Sequence, residues 1–279
     1  MRIISDNAAN RATITVANTA PELGAANLLT DIKGQVCRVL GKAAAITLTW
    51  SELETVGGVV IPASNLGPST TIRVRAYSDE EGLNLITDTG DKWAAPGPIF
   101  SNEDFTQPLN VNNFTQPLNV NSFAFSSPPL TQVYFQQQEV VRRLVIEITG
   151  QDADYIDMSR LIVGRYFQTK INASYGQQDT VIDLSTNSRA ASGDIKTDFG
   201  PVAKRMTFDL QAVEETDRAR VLRIFQSGVG KWIFISLVPE HVDAELERDK
   251  SIYGKLSAPG TMSWTYFAHH SSSFEIEGF

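Results

Sequence analysis

One cysteine and three histidines occur in 279 residues, and their scarcity removes several function classes at once. The lone Cys37 forms no internal disulfide framework and builds no cysteine-rich zinc site. Set between Val36 and Arg38 in a strand-like run, it reads as a small buried hydrophobe. His241 stands by itself, while His269 and His270 adjoin. Neighbours on a strand point to opposite faces, so this pair does not chelate one metal ion in extended chain. Long hydrophobic runs are missing too. No window approaches about 18 apolar residues, so no membrane-spanning helix is expected. The opening Met1-Arg2-Ile3-Ile4-Ser5-Asp6 lacks the apolar stretch of a signal peptide, and synthesis and folding in a reducing cytoplasm are expected. Positive charge is in deficit: Lys+Arg 24 against Asp+Glu 32 gives a net charge of -8. That balance repels phosphate and argues against a nucleic-acid partner. Charged residues make up only 20%, below the roughly 25% of ordinary soluble chains, so some surface is expected to be covered by partners.

Catalytic signatures are equally sparse. No Gly-x-Ser-x-Gly elbow occurs, and Gly41-Lys42 is followed by Ala43, without the hydroxyl that a phosphate-binding loop uses for magnesium. Asp243, Glu245, Glu247 and Asp249 alternate with other residues, a spacing that suits a solvated loop or edge strand more than paired acid and base carboxylates. No enzyme, metal site or cofactor is expected.

What is present is mostly strand. A chain of this length predicts two domains at roughly 100–200 residues each. Residues 1–168 and 169–279 are the expected division, with an insertion at 101–131. In the first, Ile46, Leu48 and Trp50 share one strand face, and Ile72, Val74 and Ala76 share another with Arg73 and Arg75 outward. Such period-2 alternation marks half-buried antiparallel strands. Gly57 to Pro62 reads as a separate short strand, and Arg142 to Gly150 reads as a strand joined through the polar turn Gln151 to Asp154 to a long apolar second arm, Tyr155 to Phe167, the two making a hairpin. Trp50 belongs to the core. Trp93, in a loop-like stretch, is either a core edge or an exposed platform for a sugar.

In the insertion, Phe105-Thr106-Gln107-Pro108-Leu109-Asn110-Val111-Asn112 recurs as Phe114-Thr115-Gln116-Pro117-Leu118-Asn119-Val120-Asn121. Two copies are too few for a solenoid, and each proline forbids a central strand. Phe105, Leu109, Phe114 and Leu118 are then anchors for a neighbouring subunit, or the duplication is a surface accident that loops tolerate cheaply. In the second domain, Thr216 to Ser227 reads as the one helix, with Thr216 as cap and Val221, Leu222 and Phe225 as its apolar stripe. Arg218, Arg220 and Arg223 lie off that stripe, on a solvated or partner-facing side. Lys231 to Pro239, apolar on both faces, predicts a central strand.

Three stretches carry a resemblance. Asn27-Leu28-Leu29, Ile46 to Trp50 and Ala63 to Arg75 resemble the galactose-binding-like, discoidin-type jelly-roll β-sandwich of tail proteins from long-tailed bacteriophages. Leu144 to Phe167 looks like that sandwich's closing hairpin. Asp183 through Arg205, the helix, and Leu237 to Leu256 resemble the β-rich, one-helix unit by which distal tail and baseplate proteins assemble. The resemblance implies an all-β fold: an N-terminal sandwich plus a C-terminal β-rich oligomerisation domain with one helix. It implies a virion structural protein at the tail tip, a homo-oligomeric ring joining the tail tube to the baseplate hub. A hexamer is the usual form, and a trimer suits hub-proximal pieces. A carbohydrate-binding module for host-surface glycans is the alternative, and no ligand residues of the family can be placed here one by one.

Overall fold

The computed structural model describes residues 1–95, 130–189, 192–200, 202–228, 230–257, 261–266 and 269–278. The duplicated segment with Phe105, Leu109, Phe114 and Leu118 lies outside them. In chain order the strands are β1 (Arg2–Ile4), β2 (Thr13–Val16), β3 (Cys37–Leu40), β4 (Ala44–Ile61), β5 (Thr71–Tyr77), β6 (Leu85–Asp88), β7 (Lys92–Trp93), β8 (Thr131–Thr149), β9 (Tyr155–Met158) and β10 (Ile162–Gly164). There follow β11 (Phe167–Gln168), β12 (Gln178–Asp183), β13 (Thr186–Arg189), β14 (Ile195–Asp198), β15 (Val202–Glu214), helix α1 (Glu215–Gly228), β16 (Trp232–Ser236), helix α2 (Ala244–Asp249), β17 (Ser251–Leu256), β18 (Thr261–Tyr266) and β19 (His269–Gly278). Every strand pairing among the described residues is antiparallel. The fold is mainly all-β.

Two compact units emerge, one of residues 6–166 with 240–249 and one of residues 1–5, 167–239 and 250–279. The first is a sandwich. Its larger sheet runs β10-β4-β8-β5-β6, with β2 on β4 and β7 on β5, and its smaller sheet pairs β3 with β9. The alternation read from sequence sends Ile46, Leu48, Ile72, Val74 and Ala76 inward, where all are fully buried with Cys37, Val39, Ile156 and Met158 of the smaller sheet. Each Ile, Leu, Val or Met among them contributes roughly 1.5–3 kcal/mol by leaving water. Trp50 is core, and its Nε1–H donates to the Ala8 carbonyl at 2.9 Å. Arg38 joins β3 to β9 through a bidentate pair with Asp157 at 2.8 and 2.7 Å.

Several expectations are corrected in this unit. Gly57 to Pro62 is not a separate strand but the far half of β4, which crosses two register shifts against β8. Gly57 and Gly58 make that continuation feasible, because a Cβ at either would meet the ring of Tyr166 or Tyr134, and those two rings pack edge-on at 5.7 Å. The strand expected from Arg142 begins at Thr131. Arg142 to Gly150 and Tyr155 to Phe167 do not form a hairpin: the second arm splits into β9, which pairs with β3, and β10, which pairs with β4, in different sheets. The crossing occurs where Ser159 and Leu161 donate to Ala63 and Leu28 carbonyls and the buried Arg160 reaches Asn10 at 2.6 Å.

The second unit is an eight-stranded sheet, β11-β1-β16-β17-β19-β15-β12 with β18 on β19. Residues 2–4, assigned on sequence to the first domain, form an inner strand here between β11 and β16. Trp232 to Ser236 is central, as its two apolar faces require. Helix α1 covers one face. Its buried positions are Val221, Ile224 and Phe225, the i, i+3, i+4 set of one helical face, and Ile224 takes the place assigned to Leu222. Phe225 packs on Phe274 with ring centroids 4.6 Å apart, and Phe208 stacks on Phe274 at 5.1 Å. Thr216 is inside the helix rather than its cap, since Glu215 already belongs to the first turn.

The acidic stretch after Pro239 is not a plain loop. Asp243 Oδ1 accepts from the N–H groups of Glu245 and Leu246 at 3.0 and 3.3 Å, an N-cap arrangement. Glu247 Oε1 reaches back to the Glu240 N–H at 2.6 Å. Together they nucleate α2, and two of the four alternating carboxylates, Asp243 and Glu247, serve its start.

Candidate functional site

The outward face of the larger sandwich sheet carries the candidate site. Strand β7 contributes Lys92 and Trp93, in register with Ile72 and Thr71 of β5, and Thr71 in turn faces Thr149 of β8. Cross-strand partners share a face. Ile72 points into the core, so Trp93, Thr71 and Thr149 form one row on the opposite side. The Thr71 and Thr149 hydroxyls lie 2.9 Å apart. Trp93 remains 61% exposed.

A buried amide fixes this row. Gln151 Oε1 accepts from the Gly67 N–H at 3.1 Å and the Thr70 hydroxyl at 2.9 Å, and its Nε2 donates to the Asn65 carbonyl at 2.8 Å. Thr70, so clamped, receives the Ala94 N–H at 2.9 Å, which holds the chain directly after Trp93. Gly150 must take a positive φ of 79° beside the Ser69 carbonyl, a conformation glycine adopts at little cost. Ser69 Oγ lies 2.9 Å from the exposed Asp152 carboxylate. In the next row, Arg73 grips Asp88 through two bonds at 2.9 and 2.5 Å, and Arg75 pairs with Glu147. The Arg73 hydrogen bond is the main reason the Asp88 carboxyl is lowered to about 2.

The result is a rigid polar face with one solvent-facing indole. An indole beside fixed hydroxyls can stack on the C–H face of a sugar ring while the hydroxyls accept and donate. Sequence reasoning named Trp93 but missed Thr71, Thr149 and the Gln151 clamp. The two threonines end alternating strands, and that was their only signal.

The remaining residues singled out on sequence do not join this face. Arg218, Arg220 and Arg223 belong to α1 in the other unit. Arg218 pairs with Glu215 at 2.8 Å, while Arg220 and Arg223 are exposed without ion pairs among the described residues. His270 Nε2 lies 2.6 Å from Glu215 Oε2, a hydrogen bond that lowers the Glu215 carboxyl below its ordinary range. Among the described residues, no group of three metal-ligating side chains comes together, and no helix is long and apolar enough to cross a membrane.

No protein-family model matches the sequence, and no curated protein matches it. Solved structures do. Chitosan-binding module 1 from a Paenibacillus sp. IK-5 chitosanase/glucanase is 10% identical at a TM-score of 0.40, over 57% of this chain and 99% of that one. The family 32 carbohydrate-binding module of Clostridium perfringens NanJ, in complex with galactose, is 10% identical at 0.38, over 60% and 100%. The lectin-binding domain of Lectinolysin, complexed with Lewis b, is 14% identical at 0.36, over 58% and 98%. Similarity at this level bears on neither ligand nor site in this chain.

Proposed function

We propose that the sandwich unit binds carbohydrate without transforming it, as a module that engages host-surface glycans. The observation that carries this reading is Trp93: a mostly exposed indole in one cross-strand row with two hydroxyls. Burying a tryptophan is strongly favourable, so an exposed one on a clamped strand is surface kept for a ligand. A glycan array followed by titration calorimetry tests it. Saturable binding that Trp93→Ala abolishes, with unfolding unchanged, is expected. Absence of saturable binding to any glycan, or binding indifferent to Trp93→Ala, overturns it.

A second reading, a virion structural ring at a phage tail tip between tail tube and baseplate hub, is favoured by a different observation. Strand β12 is the open edge of the eight-stranded sheet and is exposed along nearly its whole length. Val181 on β12, Ile195 on β14, Val202 at the start of β15, and Leu184 and Phe199 in the connections between these strands are all exposed apolar groups. Unpaired edges of this kind are templates for another strand. In this reading Arg220 and Arg223 face subunits or tail proteins. Mass photometry over a concentration series checks it: a discrete hexamer or trimer is expected, and closed symmetry gives a sharp mass. A monomer at every concentration, and again with purified tube protein added, counts against the ring.

A further inference from the structure

The sheet–helix unit carries a second concave surface, unrelated to Trp93. Across three neighbouring strands, Asp209 of β15 faces Ser273 of β19, which faces Thr261 of β18, and Ser271 faces Ser263 in the same patch. With Gln211 these side chains line a cleft of about 420 Å³, within the roughly 300–1,000 Å³ of small-molecule sites. Two register irregularities flank it, between Leu210 and Val213 on β15 and between Trp264 and Tyr266 on β18. Bulges bend a strand and re-aim its side chains, and small hydroxyl residues leave the bend unfilled. The floor is sound, because the alternate residues Leu210 and Phe274 are buried on the other face.

The lining is chemically narrow. Among the described residues it offers hydroxyls, one amide and one carboxylate, with no apolar side chain and no cation. Ser263 Oγ and Ser271 Oγ lie 2.6 Å apart, but the Asp209 carboxylate and Gln211 amide have no side-chain partner among the described residues. At the margin, Ser174 is bonded to both cleft strand positions, its N–H to the Asp209 carbonyl at 2.8 Å and its Oγ to the Gln211 N–H at 3.2 Å. The next residue, Tyr175, is wholly exposed.

We propose that this cleft binds an uncharged, hydroxyl-rich ligand, a neutral saccharide, with Asp209 and Gln211 taking its hydroxyls. An apolar ligand would strand the polar lining. An anionic one would meet Asp209 with no cation to offset it, and like charges at such range oppose binding. Vicinal hydroxyls, by contrast, donate to a carboxylate in charge-assisted bonds.

The test uses the full chain carrying Trp93→Ala, so that the sandwich face is silenced and its failure is read separately. Saturation-transfer NMR against maltose, lactose and cellobiose, with glucuronate and sialyllactose as anionic counterparts, is expected to show binding of at least one neutral sugar and none of the anionic ones. Asp209→Asn then weakens that binding about tenfold or more, the scale of a lost charge-assisted bond. Ser263→Leu, which fills the cleft from an exposed strand position, abolishes it. Both variants keep the parent melting temperature. No neutral sugar bound by the Trp93→Ala protein, equal binding of anionic sugars, or binding untouched by Ser263→Leu each overturns the cleft, whatever the glycan array says of Trp93.

Discussion

Trp50 is held by shape and by one hydrogen bond, and the two can be separated. Trp50→Phe keeps most of the ring but leaves the Ala8 carbonyl, its acceptor at 2.9 Å, without a partner in a dry core. A loss of roughly 1–3 kcal/mol is expected, against roughly 3–5 kcal/mol for Trp50→Ala, both read from urea midpoints. Asp88 gives a pH-dependent counterpart. Its carboxyl sits at about 2 in the folded protein, chiefly through Arg73, and near 3.9 in an unfolded chain. Folding therefore favours the ionised form. The contribution is complete above about pH 4 and disappears as pH falls through about 2. Asp88→Asn is expected to flatten the acid limb of the stability profile between those values and to leave the limb above pH 6 unchanged in slope. A profile that keeps its acid limb sinks the assignment. Because Asp88 is near the surface, its effect is modest.

At the scale of elements, Gly254 and Gly278 set how closely two strands run. They are register partners on β17 and β19, and a Cβ on Gly254 would strike the Glu277 carbonyl, as one on Gly278 would strike that of Tyr253. Backbone cannot yield as a flexible side chain does, so Gly254→Ala is expected to cost about 1–3 kcal/mol as an overpacked contact, measured by thermal melting. No cost would show that the strands have room to part. Sequence patterning captured the elements whose burial alternates or repeats at helical spacing: the near half of β4, β5, α1 and β16. It missed where strands continue or change sheets. Nothing local in Gly57-Gly58 distinguishes a strand end from a strand overlaid by two tyrosine rings, and nothing local separates β9 from β10. Those outcomes depend on Tyr134, Tyr166, Leu28 and Asn10, distant in sequence. The same limit applies to the candidate site: Trp93 is legible as an unusual residue, but the row it shares with Thr71 and Thr149 exists only after three strands pair.

For the whole molecule, the single thiol is a natural reporter. Cys37 is fully buried, and burial, with the nearby Asp157 charge, pushes its thiol up to about 11. Thiolate is the reactive form, so maleimide is expected to leave native protein unlabelled at pH 7 and to label it at the rate at which the sandwich unit opens. Fast native labelling contradicts this packing. The division into units makes a stronger prediction. Arg2 and Ile3 pair with Gln168 and Phe167, so the strands entering and leaving residues 6–166 are antiparallel neighbours. Replacing 6–164 by an Asn-Gly turn keeps that register and makes β1 and β11 an ordinary hairpin, and a short turn in place of 240–249 removes the rest of the sandwich unit. The shortened chain is expected to retain a cooperative melt and strand-type circular dichroism. A non-cooperative product would mean that the sheet needs the sandwich.

That placement of β1 also fixes an order of events at the ribosome. Residues 2–4 are made early, yet their two neighbours in the sheet are residues 167–168 and 234–236. At 5–20 residues per second, the second of those partners follows on the order of 10–50 s later. Through that interval the sandwich can complete its own core while the short apolar segment ahead of it has nothing to pair with. This strand, made before either of its partners, is thus locked only after both have been made, by which time the sandwich has had the chance to fold.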